Sequence, residues 1–162
     1  MTSQQRTIFM QVMESPLGDL YLYADKSHLT GIAFSEIDSL SVDQNNKNPV
    51  LQNTEQQLNE YFSGNRQSFD LPIKFEGTDF QQQVWQQLQN IAYGTTQSYQ
   101  QVAAAIDNPK AVRAVGNANN KNPLVIVVPC HRVIGASGQL VGYGGGLPLK
   151  EWLLKHEQVN AN

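Results

Sequence analysis

The chain has 162 residues, 40% of them apolar and 15% charged, with a formal charge of −3, which describes an ordinary soluble globular protein of one domain or two small ones. A single cysteine excludes an internal disulfide and a cysteine-rich zinc site and points to a reducing compartment. No run approaches the roughly 18 apolar residues of a membrane span, and Met1 to Ser15 lack the apolar core of a signal peptide, so the expectation is a cytoplasmic protein without membrane contact.

The charge is split unevenly. Residues 1–77 carry five Lys and Arg against ten Asp and Glu, a balance of −5, and residues 78–162 carry six against four, a balance of +2. The basic half permits a nucleic-acid partner without demanding one.

Ile8, Met10 and Val12 alternate with Phe9, Gln11 and Met13, and Ser15-Pro16-Leu17-Gly18 is turn chemistry. Leu20 to Tyr23 and Leu29 to Phe34 read as two more strands, giving an antiparallel meander. Polar residues 35–49 read as a loop. Leu51, Thr54, Leu58, Tyr61 and Phe62 recur at helical spacing, ended by Ser63-Gly64. Phe69 to Ile73 reads as a further strand. With His28 its one histidine, this half has no catalytic cluster and reads as an α/β scaffold over residues 1–76.

Gly77-Thr78-Asp79 marks the boundary to a mostly helical domain over residues 77–162. Thr78 with Gln81 forms a capping-box pattern, and Phe80, Val84, Leu88 and Ile91 lie on one helical face closed by Tyr93-Gly94. Ser98 with Gln101 caps a second helix through Tyr99, Val102, Ala103 and Ile106. After Asp107, Asn108 suits an N-cap and Pro109 a first helical position, opening a helix with Lys110, Ala111, Val112, Arg113, Ala114 and Val115. Two short helices about a tight turn match a helix-turn-helix, a pattern that helical hairpins without a DNA role share. The second helix is small-sided at Ala111, Ala114, Gly116 and Ala118, with Arg113 as one long base. Small residues allow close approach to a DNA backbone, and an arginine can enter a minor groove.

Leu124 to Val128 is a continuous apolar run stopped by Pro129 and reads as a buried strand. It delivers Cys130 beside His131. A lone buried cysteine is ordinarily core filler. As chemistry, the pair suits a nucleophile: a thiol needs its proton removed, His131 is a candidate base, directly or through water, and Glu157 or Glu151 can orient the imidazole. Six glycines between Gly135 and Gly146 form an irregular loop able to approach a flat ligand, without the strand-to-helix context of a phosphate site. Pro148 opens a last helix whose buried face is read as Leu149, Trp152 and Leu153.

Asn122-Pro123, Pro129-Cys130-His131-Arg132-Val133, the glycine-rich loop and Lys150-Glu151-Trp152-Leu153-Leu154 together resemble the O6-alkylguanine-DNA alkyltransferases over 77–157. The resemblance implies a ribonuclease-H-like N-terminal domain. It also implies repair of double-stranded DNA containing O6-alkylguanine, and of O4-alkylthymine, by irreversible transfer of one alkyl group to Cys130, with no cofactor, by a monomer. His131 then takes the thiol proton through a bridging water, Glu157 completes the relay, and Asn122 braces the turn. Tyr99 crowds the target phosphate and protonates the departing base, and Arg113 fills the gap left by the extruded nucleotide. Lys110, Ala111 and Ala114 accompany Arg113 at the DNA. Cys130 and Val133, with Tyr143, Gly144 and Gly145, line the guanine pocket.

Gly144 departs from the Ser or Ala frequent in that family, which implies a wider pocket, and Asn119 and Asn120 stand where apolar residues occur. No metal is expected, since some relatives' N-terminal zinc site is built on cysteines. A Cys-His-Glu hydrolase and a non-repairing sensor of alkylated DNA are the two competing readings. The first predicts turnover and leaves Arg113 unexplained. Proteins of the second kind lack the acceptor cysteine, so Cys130 argues against that reading.

Overall fold

The computed structural model describes residues 7–37, 42–43 and 47–161 and divides into two compact units, Met1–Phe75 and Glu76–Asn162.

In the first unit, β1 (Ile8–Met13), β2 (Leu20–Ala24) and β3 (Leu29–Ala33) form the antiparallel meander, and β4 (Val42–Asp43) adds to the free side of β1 in parallel, giving the order β3-β2-β1-β4. The β1–β2 turn is closed by the Ser15 carbonyl accepting from Gly18 N–H at 3.0 Å, with Gly18 at φ +94°, a backbone that favours glycine. Helix α1 (Pro49–Phe62) packs on this sheet through Leu51, Thr54, Leu58 and Tyr61. Its N-cap is Asn48, whose Oδ1 accepts from Leu51 N–H at 3.0 Å.

Two expectations for this unit need correction. The loop read over 35–49 contains β4 and the first residue of α1, and its residues 38–41 and 44–46 lie outside the described residues. Phe69 to Ile73 is not a strand. Its backbone is taken up instead by Gln57, whose side chain bonds both Asp70 N–H (2.9 Å) and Asp70 C=O (3.0 Å), and only Ile73 bridges to Leu29.

The second unit opens with α2 (Asp79–Leu88), whose Thr78–Gln81 capping box is reciprocal. The helix ends at Leu88 rather than at Gly94, because residues 89–91 bond three back and tighten into turns. Ile91 stays buried all the same. Trp85 anchors α2 by donating to Ala118 C=O at 2.8 Å. Helices α3 (Tyr99–Ala105) and α4 (Val112–Asn120) pack against each other and on α2 as a helix-turn-helix.

The start of α4 differs from expectation. Asn108 C=O accepts from Ala111 N–H at 3.0 Å, so residues 108–111 form a turn and the helix starts only at Val112, with Ala111 in the cap position and no side-chain cap. Lys110 therefore precedes the helix. Short strands β5 (Gln97–Ser98) and β6 (Val133–Ile134) pair in parallel and set the start of α3 beside the segment that follows Cys130. Helix α5 (Leu147–Asn160) completes the unit.

Candidate active site

The run Leu124 to Val128 is not a strand. The Asn122 carboxamide captures the groups a ladder would use: Oδ1 accepts from Leu124 N–H at 3.0 Å and Nδ2 donates to Val128 C=O at 2.7 Å. Val128 N–H also donates to Leu124 C=O at 2.9 Å, and Ile126 sits at φ +74°, a conformation that costs a β-branched residue free energy. Leu124, Ile126 and Val128 remain buried, which is why the apolar pattern imitates a strand.

From this turn, Pro129 leads into a single 3-10 turn, Cys130–Arg132. Three residues per turn send three successive side chains in different directions. All three are buried: Cys130 at 3%, His131 at 0% and Arg132 at 6% exposure.

His131 and Arg132 converge on Glu157 of α5. His131 Nε2 lies 2.7 Å from Glu157 Oε2, Arg132 Nε donates to Oε1 at 2.7 Å, and Arg132 Nη2 donates to Oε2 at 2.9 Å. Arg132 Nη1 also donates to Ile91 C=O at 2.6 Å. Burial alone would raise the Glu157 carboxyl, but His131 and the Arg132 guanidinium overcome it and hold it well below the ordinary carboxylate range. Burial pulls the His131 imidazole below its ordinary value against the pull of Glu157. A neutral ring beside a carboxylate carries its proton on Nε2. Nδ1 is then a bare lone pair, and it is buried with no hydrogen-bond partner among the described residues.

Cys130 takes no part in the contacts to Glu157. Burial pushes its thiol up to about 11, although the Asn122 amide and the Lys150 charge both work to lower it. Lys150 is fully buried. Its ammonium donates to three carbonyls, Val133 at 2.6 Å, Val141 at 3.0 Å and Gly142 at 3.2 Å, and burial pulls it down to about 8. The Tyr99 hydroxyl donates to the same Val141 carbonyl at 2.8 Å, and Lys150 Nζ lies 5.9 Å from the Tyr99 ring centre. Burial, then the charge of Cys130, raises the Tyr99 phenol, while the Asn119 amide opposes the rise. Tyr143 is raised well above its ordinary value by burial, Cys130 and Glu157.

Cys130, His131, Glu157, Asn122, Tyr99, Val133 and Tyr143 are thus gathered in one place. Gly144 lies nearby on the loop, and a Cβ added there would be 3.8 Å from Asn120 C=O. Glu151, the other acid considered for the imidazole, is exposed. Lys110, Arg113 and Ala114 are exposed, with Ala111 half-buried. The link between the two groups is Gly116 of α4, whose missing Cβ would lie 3.9 Å from the Tyr99 ring.

The expected buried face of α5 is corrected too. Lys150, Leu153 and Glu157 are buried, whereas Leu149 and Trp152 are half-buried, with Trp152 stacked on His156 at 4.8 Å. Reading Leu149, Trp152 and Leu153 for the core overlooked Lys150 and Arg132. Charges at positions 150 and 157, spaced by whole helical turns around Leu153, were the available signal. Among the described residues no group of three or more His, Cys, Asp or Glu gathers as metal ligands do, and no helix is long and apolar enough to cross a membrane.

The sequence and the fold are matched by known proteins. Residues 8–75 match the ribonuclease-like domain of 6-O-methylguanine DNA methyltransferase, and residues 79–159 match its DNA-binding domain. The chain is 42% identical to a methylated-DNA–protein-cysteine methyltransferase of Methanosarcina barkeri over 94% of this chain and 99% of that one. It is 44% identical to the constitutive enzyme of that name from Bacillus subtilis, over 91% and 93%. The Mycobacterium tuberculosis O6-methylguanine methyltransferase structure superposes with a TM-score of 0.87 at 42% identity, covering 96% of each chain, and a structure of the same organism's protein with DNA gives 0.86 over 94% of each. The chain belongs to the O6-alkylguanine-DNA alkyltransferase family.

Proposed function

We propose that this protein repairs DNA directly, moving one alkyl group from O6-alkylguanine onto Cys130 in a single irreversible event. The helix-turn-helix binds the duplex, with Lys110, Ala111 and Ala114 at the backbone and Arg113 in the gap left by the extruded nucleotide. Val133, Tyr143, Gly144 and Gly145 line the pocket that receives the base. The thiol proton passes through a bridging water to His131 Nδ1, and the Glu157 carboxylate, held in place by Arg132, stabilises the imidazolium. Sulfur attacks the alkyl carbon, the carbon–O6 bond breaks, and the departing guanine takes its proton from the Tyr99 hydroxyl. The Lys150 ammonium offsets the charge that develops on sulfur. No cofactor enters this balance. Residues 1–76 serve as scaffold, and a cytoplasmic monomer suffices for the whole reaction. O4-alkylthymine is the secondary lesion.

The observation that carries this reading is the state of the thiol. Hydrolytic cysteines work by turnover and hold a thiolate at neutral pH. Cys130 is 3% exposed and its thiol is pushed up to about 11, which keeps it neutral and protected from oxidation until its one use. The sensor reading has no use for such a thiol.

The test is the intact mass of the protein after mixing with a duplex containing O6-methylguanine, beside Cys130→Ser. The expected result is one methyl group on Cys130, saturating at one per molecule and absent in the variant. Tight binding without a mass change would leave a sensor, and release of product with turnover would leave a hydrolase.

A further inference from the structure

Lys121, the C-cap residue of α4, has no part in the reaction above, yet it completes a pattern of charge. Residues 108–150 contain no Asp or Glu and five Lys or Arg. Arg132 and Lys150 are buried in the site, so the cations this stretch offers to solvent are Lys110, Arg113 and Lys121. All three lie on α4 or at its ends. None of their side chains makes an ion pair or a hydrogen bond among the described residues, whereas Arg66 and Arg132 are held by Glu60 and Glu157.

The burial pattern of α4 sets these cations on one surface. Arg113, Ala114, Asn117, Asn120 and Lys121 are exposed, while Val115, Ala118 and Asn119 are buried. At about 100° per residue, the five exposed positions fall within an arc of about 120°. One face of the helix therefore turns to solvent along its whole length, with a cation near each end and two carboxamides between. A Cβ added at Gly142 would lie 3.2 Å from Asn120 Oδ1, so this face also borders the glycine-rich loop. It carries no large apolar side chain to anchor a protein partner and no carboxylate to repel a phosphate.

Resting on the repair reading above, we propose that Lys121 is a DNA-positioning residue. Its ammonium binds a backbone phosphate while Arg113 occupies the gap in the base stack. Lys121 follows Arg113 by eight residues, an axial rise of about 12 Å. The minor groove is about 6 Å wide, so a row of phosphates runs within a lysine's reach whether the far end of the helix crosses the groove or follows it. Two anchors that far apart fix the direction of α4 on the duplex as well as its place, which a single arginine cannot do.

The experiment measures binding of the full chain to an undamaged fluorescent duplex between about 50 and about 200 mM salt. Lys121→Gln is expected to weaken binding by about 3- to 10-fold at about 100 mM salt and to reduce the slope of log K against log salt by about 0.9. Lys121→Arg is expected to keep the wild-type slope, because a phosphate accepts either cation. Lys155→Gln removes the same charge from an exposed position on α5 and is expected to leave the slope as in wild type. An unchanged slope in Lys121→Gln overturns the proposal. An equal fall in Lys155→Gln overturns it as a diffuse effect of net charge, and an equal fall in Lys121→Arg overturns it as a local effect on structure. Wild type that binds the duplex but takes no methyl from O6-methylguanine would sink the repair reading itself, a result read from the mass of the protein and not from the slopes.

Discussion

Arg132 holds Glu157 by a two-bond fork, Nε to Oε1 at 2.7 Å and Nη2 to Oε2 at 2.9 Å, and Oε2 is the oxygen that His131 also reaches. The arginine thereby fixes the carboxylate's rotation before the imidazole meets it. Bidentate pairs of this kind add geometry as well as energy. Arg132→Met should leave a buried carboxylate without its main counter-charge, at a cost of about 3–5 kcal/mol in urea unfolding. Alkyl transfer should also slow, since the His131 tautomer is then less firmly set. A loss of less than about 1 kcal/mol would mean that the pair is only a rim contact.

Acid should destabilise the protein earlier than its carboxylates alone would require. His131 binds its proton less readily in the fold than at its ordinary value of 6.5, and Glu157 less readily than at 4.5. In both cases the unfolded chain takes up the proton first as pH falls, so stability is present above these values and is lost below them. The unfolding midpoint should decline from about pH 6.5 downward, in a first stage due to His131 and a steeper one below about 4.5 due to Glu157. His131→Gln should remove the first stage. A stability curve flat between pH 7 and 5 would contradict the buried neutral imidazole.

Much of this was legible in the chain and some was not, for physical reasons. The meander, the α1 periodicity, both capping boxes and the motif around Cys130 are local patterns, and local patterns survive in sequence. The run Leu124 to Val128 misled because burial alternates along it as in a strand, while its backbone is folded by the Asn122 side chain, a competition that apolar patterning does not register. Lys150 and Arg132 were overlooked because burial of a charge depends on partners distant in sequence, the Val133, Val141 and Gly142 carbonyls for one and Glu157 and Ile91 for the other. The start of α4 failed on a turn between Asn108 and Ala111 that takes precedence over a good N-cap.

Lys150 should act as the fastening of the glycine-rich loop. One compact ammonium reaches three carbonyls, two of them at Val141 and Gly142 in the loop. Lys150→Met leaves the buried Val133 carbonyl without its donor and should cost about 2–4 kcal/mol. Amide exchange over residues 141–146 should quicken sharply in that variant, with alkyl transfer falling in parallel. Lys150→Arg should not restore either property, because a planar fork cannot present three donors at one point. Unchanged exchange over the loop would deny Lys150 this role.

Arg113 offers a way to separate extrusion from chemistry. It is exposed on α4 and takes no part in the Cys130 cluster. Filling the gap in the base stack matters only when the substrate is a duplex. Arg113→Ala should therefore slow transfer from duplex O6-methylguanine by on the order of 10- to 100-fold, with the rate on a free O6-alkylguanine base unchanged and the melting temperature within a degree or two. Equal losses on duplex and free base would place Arg113 in the pocket instead.

Two glycines should respond to alanine in opposite ways. A Cβ at Gly77 would lie 2.7 Å from Gln81 Oε1 and 2.7 Å from the Trp85 ring. Neither neighbour gives way readily: Gln81 is held in the α2 capping box, and Trp85 is 2% exposed and tied to Ala118 C=O. Gly77→Ala should cost about 1–3 kcal/mol by overpacking. A Cβ at Gly144 meets nothing nearer than Asn120 C=O at 3.8 Å, and Gly144 is not among the residues with positive φ. Gly144→Ala should fold with stability within about 0.5 kcal/mol of wild type. If Gly144 borders the base pocket, the added methyl narrows it, so transfer from O6-benzylguanine should slow relative to O6-methylguanine. A benzyl-to-methyl ratio equal to that of wild type would move Gly144 out of the pocket wall without touching the assignment of Cys130.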